Sequence, residues 1–350
     1  MTDPEVIVNG RFLAGPVTGV QRYAAEILRG LGERVRVVRP QPEPLAGAHG
    51  IAGHAWEQFG LPRHVQPGSI LWSPANSGPL ATRNQVLTLH DLSPLEHAEW
   101  FKPAYAAWYR WFLPRLVRRV RRIITPSEYV RQKVLARFHL PGERVVVVPG
   151  GVDTTRFRKV APAGAGGRYI LFVGTLEPRK NLATLLAAWQ QIEKFHADVC
   201  LVLAGGAGRV FSPMRLQKGT KGKQGVQEIP RVKFAGYVAE EALPALYSGA
   251  EVFVLPSFDE GFGLPALEAM ACETPVVVSA CGALPEVVGK AGVFVDPHQT
   301  ENLARALNDC LSDVNLRHSL VESGLQQVQR FSWQTSSEQV YAVLRESYAT

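Results

Sequence analysis

The sequence predicts an α/β protein of two doubly wound domains facing a central cleft, and three observations carry that prediction. Short β-branched runs alternate with helix-period segments from end to end, as in parallel sheets joined by crossover helices. A chain of 350 residues exceeds what one hydrophobic core usually organises. The alternation breaks once, over Pro149–Gly167 (PGGVDTTRFRKVAPAGAGG), where glycine and proline replace periodicity and an interdomain linker is expected. The expected units are 1–155 and 156–330, followed by a last helix, Trp333–Tyr348, within 331–350.

In chain order, the first-domain strands are expected at Val6–Val8, Val35–Val38, Ile70–Trp72, Val86–Leu89, Ile123–Thr125 and Val145–Val148. Those of the second are expected at Tyr169–Val173, Val199–Ala204, Val232–Phe234, Val252–Leu255, Val276–Val278 and Gly292–Val295. Many are uninterrupted apolar runs, which suits parallel strands covered on both faces. Between them lie helices such as Gln21–Leu31 and Glu128–Phe138. Ser127 precedes the latter, where it serves equally as an N-cap or as a phosphate contact. Ligands of such sheets collect at the carboxyl ends of the strands, so residues just after strands are the candidates.

Composition narrows the function classes. With 46% hydrophobic and 20% charged residues the chain is ordinary and globular. A net charge of +7 and a pI near 9.3 favour anionic partners: phosphorylated ligands, nucleic acid or an acidic membrane face. No helix-turn-helix, finger or RNP-like motif occurs, so no nucleic-acid partner is expected. Cys200, Cys272, Cys281 and Cys310 lack CxxC spacing and read as reduced core thiols of a cytoplasmic protein. Asp3 and Glu5 stand where a secretory leader would be basic, and no run of about 18 apolar residues spans a bilayer.

The most informative stretch is Pro256–Pro265, PSFDEGFGLP, which leads into the helix-forming run Leu264–Ala271 (LPALEAMA). Pro265 suits a first helical position. Gly261 and Gly263 keep the approach bare, so backbone amides of Gly261, Phe262, Gly263 and Leu264 and the helix dipole make an anion site. Glu268 leans back toward the same helix mouth as Glu260. Two carboxylates beside a phosphate site repel phosphate but accept hydroxyl donors, such as those of a ribose and a sugar. Arg179 and Lys180 follow strand Tyr169–Val173 and offer a planar fork and a point charge. His90 and Asp91 end strand Val86–Leu89; the histidine suits a sugar hydroxyl, and Asp91 orients it, serves an acceptor or caps a turn. Gly15 and Gly19 follow the first strand in a phosphate-loop-like place but do not form GxGxxG. Glu96, His97 and Glu99 fit no familiar metal-ligand spacing and read as a polar loop.

The pattern Glu260–x7–Glu268 with its EGFGLP lead resembles the donor-site motif of the retaining family 4 glycosyltransferases, which have the GT-B fold of two Rossmann-like domains. VGTLEPRKNLATLLAAW, VKFAGYVAEEALPALYSGAEVFVLPS and PVVVSACGALPEVVG resemble its donor domain; NGRFLAGPVTGVQRYAAEIL, LTLHDLSPL and ITPSEYVRQKV match the other domain more loosely. The resemblance implies that the final helix crosses back to the first domain. It implies that Arg179 and Lys180 grip the donor diphosphate, and that Glu268 binds ribose. Glu260 would steady charge at the anomeric carbon, and His90 would meet the sugar. Gly15 and Gly19 would lie in the loop that closes over the diphosphate, and the backbone at Tyr237 and Val238 would meet the base. No Asp-x-Asp occurs, so neither metal nor another cofactor is expected. The implied partners are a nucleotide-sugar donor, GDP-mannose first, and a saccharide or lipid-linked acceptor in surface polysaccharide assembly. A nucleotide-sugar 2-epimerase of the same fold and a non-catalytic nucleotide-sugar-binding protein remain alternatives.

Two features depart from or add to that picture. Where the family has glycine, this chain has Glu273 (MACETPVVV), which a left-handed turn would exclude unless the turn changes. Trp100–Arg122 sets Trp100, Phe101, Tyr105, Trp108, Tyr109, Trp111 and Phe112 ahead of Arg115, Arg118, Arg119 and Arg122, spaced for one helical face. That suits peripheral contact with acidic lipid at the inner face of the cytoplasmic membrane, or a core-packed helix with a soluble outer side.

Overall fold

The computed structural model describes residues 4–14, 17–40, 50–162, 167–206 and 229–349. Two compact units result: Met1–Glu96 with Pro103–Gly151 and Phe331–Thr350, and Val152–Arg330 with His97–Lys102. The first unit runs β1 (Glu5–Asn9), α1 (Gly19–Leu31), β2 (Val35–Val38), α2 (Ile51–Ala55), β3 (Ser69–Ser73) and β4 (Gln85–Thr88). It continues through α3 (Ser93–Glu96), α4 (Pro103–Arg119), β5 (Arg122–Thr125), α5 (Glu128–Phe138) and β6 (Val145–Val147). The second runs β7 (Arg168–Val173), α6 (Leu182–Ile192), β8 (Val199–Ala204), β9 (Val232–Gly236), α7 (Leu243–Ser248) and β10 (Val252–Leu255). Then follow α8 (Leu264–Ala271), β11 (Val276–Ser279), α9 (Leu284–Val288), β12 (Gly292–Val295), α10 (Thr300–Ser312) and α11 (Val314–Val328). The chain ends with α12 (Trp333–Ala349) in the first unit.

Each unit holds a six-stranded sheet, ordered β2-β1-β3-β4-β5-β6 and β12-β11-β10-β7-β8-β9, and every pairing is parallel. Central strands are covered on both sides, which is why they read as unbroken apolar runs: β3, β4, β10 and β11 are buried along their whole length. Edge strand β9 is largely exposed. Read from the other edge, the second order is 3-2-1-4-5-6 in order of appearance, so its topological switch lies between β7 and β10. In the first sheet the switch lies between β1 and β3. Residues just past these four strands are therefore the ones the topology exposes to a ligand.

Helix α12 packs into the core of the first unit, where Val340, Val343 and Leu344 join Tyr23, Ile27 and Trp72. The segment after Gly151 is anchored within the second unit: Phe157 is buried and Arg156 pairs with Glu240 at 3.0 Å. Ser127 caps α5, its Oγ accepting the Val130 N–H at 3.2 Å.

Three expectations change. Gly19 is the first residue of α1 rather than part of a loop, because Thr18 is already extended as its N-cap; Gly15 lies outside the described residues. Helix α4 stops at Arg119, so Arg122 leaves its face for β5 and pairs with Glu346 at 2.6 Å, while Arg121 donates to the Ser347 carbonyl. Most of the aromatics there are core: Phe101, Tyr109 and Phe112 are buried, and Trp108 stacks on Phe112. What remains outside is Trp111, 46% exposed, with Arg115 stacked on its ring at 4.6 Å, beside Arg110, Arg118 and Arg119. The third concerns Glu273: the turn is kept, and Glu273 adopts the left-handed conformation at φ 58°.

Candidate active site

Residues past β7 and β10 meet at the switch point of the second sheet. After β7 a short turn, Pro178–Lys180, delivers Arg179 and Lys180; after β10 the chain runs Pro256–Gly263 into α8. Lys180 Nζ donates to Glu260 Oε1, and Arg179 Nη1 donates to Glu260 Oε2 at 3.2 Å. Ser257 Oγ also donates to Glu260 Oε1, at 3.0 Å. Lys180 and Glu260 are both more than nine-tenths buried. Burial by itself pushes the Glu260 carboxyl up, but the charges of Lys180 and Arg179, with the Lys180 and Ser257 hydrogen bonds, outweigh it and hold the pKa at about 2. Glu260 is thus a fixed carboxylate at neutral pH and no proton donor.

Asn181 explains how the two loops keep register. It is left-handed (φ 56°), accepts the Leu185 N–H at its carbonyl, and sends its amide Nδ2 to the carbonyls of Pro256 (3.1 Å) and Pro297 (2.7 Å). One side chain therefore joins the loops after β7, β10 and β12. Gly282 closes the other side, since a Cβ there would stand 2.5 Å from the Glu260 backbone.

At the amino end of α8, Gly263 is the N-cap at φ 105°, a conformation that favours glycine. Leu264 is the first helical residue and Pro265 the second, one place later than expected; proline is tolerated there because first-turn amides have no intrahelical partner. Gly261, Phe262, Gly263 and Leu264 are all buried. Glu268 sits one turn further into α8, where Tyr247 Oη donates to its Oε2 at 2.8 Å. The two glutamates thus have separate partners. At the end of edge strand β9, Gly236 is left-handed at φ 66°, and just past it Tyr237 is 65% exposed with Val238 beside it.

In the first unit, His90 and Asp91 follow β4. The His90 N–H donates to Asn76 Oδ1 at 2.7 Å, and ring Nε2 lies 2.8 Å from the Pro74 carbonyl. That carbonyl takes a proton from Nε2, leaving Nδ1 to accept. Burial lowers the ring's pKa, against the Pro74 carbonyl and Asp91, which raise it. Asp91 Oδ1 accepts the Ser93 N–H at 3.0 Å, the capping role among those expected. His97 stacks on Trp100, with Glu99 3.3 Å from its Nδ1.

Sequence reasoning did not single out several of these partners, Ser257, Asn181, Tyr247 and Asn76, nor the buried Glu177, whose Oε1 accepts from Arg179 Nε at 2.9 Å. Nor did it find the buried cluster at the first sheet's switch point, where Glu57 takes Asn9 at 2.7 Å, Arg11 at 3.2 Å and Ser77 at 2.9 Å. The available signal was position alone, since Asn76 and Ser77 follow β3 and Asn181 directly follows Lys180.

The family model described as Glycosyl transferases group 1 matches residues 153–327, and that described as Glycosyltransferase Family 4 matches residues 64–156. O-antigen chain mannosyltransferase B of Escherichia coli is 33% identical over 73% of this chain and 68% of its own length. An MMP alpha-(1->4)-mannosyltransferase of Mycolicibacterium hassiacum is 32% identical over 71% of this chain and 60% of its own length. Among solved structures, sucrose-phosphate synthase from Thermosynechococcus elongatus superposes with a TM-score of 0.75 at 21% identity, covering 99% of this chain and 100% of that one. Anabaena HepE, in complex with UDP-glucose, gives a TM-score of 0.73 at 18% identity over 97% and 99%. With two parallel six-stranded sheets, these family matches and these relatives, the chain is a GT-B glycosyltransferase and belongs to family 4, glycosyl transferases group 1.

Proposed function

We propose that this glycosyltransferase moves a hexose, mannose from GDP-mannose first, from a nucleotide sugar to a saccharide or lipid-linked saccharide in surface polysaccharide assembly, with retention and without a metal. One observation carries the site: the buried Lys180–Glu260 pair at the switch between β7 and β10, immediately ahead of α8. In this reading Lys180 and the first-turn amides of α8 take the charge that leaves with the nucleoside diphosphate. Glu260, held ionised, faces the anomeric carbon and the sugar hydroxyls. Glu268 accepts from the ribose. His90 accepts a sugar hydroxyl at Nδ1. Attack on the same face as the leaving phosphate, with that phosphate as the base, retains configuration and needs no protein nucleophile. The choice of mannose and of polysaccharide assembly is supported by the names of relatives, including O-antigen chain mannosyltransferases of Escherichia coli and Salmonella typhimurium.

No helix among the described residues is long and apolar enough to cross a membrane. Contact with acidic lipid at the inner face of the cytoplasmic membrane would run through the exposed remainder of α4, Arg110, Trp111, Arg115, Arg118 and Arg119.

The deciding assay follows nucleoside diphosphate release from a panel of GDP-, UDP- and dTDP-sugars, with and without EDTA and a crude lipid acceptor fraction. Acceptor-dependent, chelator-resistant release from GDP-mannose is the expected result. Release that stops with EDTA overturns the metal-free mechanism, and donor turnover without acceptor favours an epimerase. Glu260→Ala and Lys180→Ala are each expected to slow turnover by about 100-fold or more.

A further inference from the structure

Arg179 and Lys180 adjoin in sequence, yet their side chains hold different things. Lys180 sends its single ammonium to Glu260. Arg179 is engaged on all three nitrogens: Nε and Nη2 meet Glu177 Oε1 at 2.9 and 2.7 Å, and Nη1 meets the Asp259 carbonyl at 3.0 Å and Glu260 Oε2 at 3.2 Å. Its backbone carbonyl also accepts the Phe258 N–H at 2.9 Å. Residue 179 therefore ties the turn after β7 to the loop after β10 through main chain and side chain alike. Glu177 is 2% exposed, and a carboxylate so buried is tolerated only against a cation. A phosphate could take the guanidinium fork only by displacing Glu177 or Glu260.

We propose that Glu177 and Arg179 form a clasp that positions Glu260, and that Lys180 rather than Arg179 meets the donor diphosphate. This rests on the reading above that Glu260 faces the donor sugar. Glu177 draws the guanidinium from one side, so that only Nη1 reaches the far carboxylate; with Glu177 neutral, the fork turns wholly onto Glu260 and swings its carboxylate off the sugar. Arg179 is then a positioning residue, and Glu177 acts through it.

Glu177→Gln, Glu177→Asp, Arg179→Lys and the double variant Glu177→Gln/Arg179→Lys separate this from direct phosphate contact. Steady-state kinetics with GDP-mannose, or the donor the panel selects, would be paired with calorimetric titration of the matching nucleoside diphosphate, GDP in the first case. The clasp predicts that Glu177→Gln and Arg179→Lys each lower kcat by about 10–100-fold, as expected for a misplaced reacting group, while donor KM and diphosphate affinity stay within about threefold. Losses in the double variant should not multiply, and Glu177→Asp should recover part of the turnover. Retained diphosphate binding shows that each variant is folded. An Arg179→Lys enzyme that binds the diphosphate tenfold more weakly, a Glu177→Gln enzyme with wild-type kcat, or multiplying losses would each overturn the clasp. Glu260→Gln keeps the two failures apart: wild-type turnover there removes the donor-site reading itself, whereas lost turnover there with an unaffected Glu177→Gln removes only the clasp.

Discussion

Glu273→Gly should make the protein more stable. Helix α8 ends in a Schellman motif: the Glu273 N–H bonds the Met270 carbonyl at 3.1 Å and the Thr274 N–H bonds that of Ala269 at 3.0 Å. The motif requires a left-handed residue at the position Glu273 occupies, and its φ is 58°. A Cβ in that conformation costs roughly 1–2 kcal/mol. Its carboxylate also stands at the negative end of the helix dipole, a further cost of about 0.3–1 kcal/mol at a half-exposed site. Among the described residues it has no ion-pair partner. Glycine forfeits about 0.5–1 kcal/mol of unfolded-chain entropy, so the net gain is about 1 kcal/mol. In calorimetry that is a rise of about 2–4 °C in the transition of a unit this size. Glu273→Ala is the control, because it removes the charge and keeps the Cβ. If alanine stabilises as much as glycine, backbone strain contributes nothing, and if glycine destabilises, the left-handed turn is not what α8 forms.

The acid limb of stability should depend on Glu260. Its folded pKa of about 2 lies below the ordinary 4.5, so its contribution is full above pH 4.5 and is lost as pH falls toward 2. Urea titrations at pH 5 and pH 2 should therefore differ by on the order of 3 kcal/mol less in Glu260→Gln than in wild type; equal differences would contradict the charge assignment. Thiol labelling at pH 8 should spare Cys272 and Cys310 until the protein unfolds, since burial first, then Glu268 and Asp309 respectively, pushes each up to about 12. Fast labelling of all four cysteines in the native state would refute that. Asn181→Gly should cost about 1–3 kcal/mol by leaving the Pro256 and Pro297 carbonyls without their amide, and Asn181→Ala should cost about 1 kcal/mol more. The reverse order in thermal melts would show that the left-handed backbone at 181 is not what the site needs.

All twelve strands were legible, the central ones most plainly because a parallel strand covered on both faces is apolar throughout, as in Val252–Leu255 and Val276–Val278. The placement of Arg179, Lys180 and Glu260 just past β7 and β10 was legible for a related reason: strand ends are where a doubly wound sheet presents side chains to a ligand. What periodicity cannot carry is distance between loops. Asn181 and Tyr247 matter through partners far away in sequence, and Glu177 and Ser257, though only two and three residues from theirs, lie in irregular loops where no periodic pattern marks them. The run of arginines after Trp111 misled for the same reason, since only the fold shows that Arg121 and Arg122 are consumed by α12. Glu273 misled differently: a composition rule for turns was set against the hydrogen bonds and buried face of α8, and tertiary structure won at a small local cost.

Charge also divides into two devices that a bulk count merges. The net +7 invites the idea that excess cations attract the donor. At the switch point, however, Arg179 and Lys180 are matched by Glu177 and Glu260, so the cluster is neutral and its partners are buried. Screening by salt acts weakly on such pairs and strongly on exposed arginines such as Arg110, Arg115, Arg118 and Arg119. The surplus charge therefore belongs to the surface, where it acts on long-range approach to anionic partners. On the reading proposed above, a diphosphate would gain its footing inside the site by exchanging one partner of Lys180 for another, with the helix amides making up the difference.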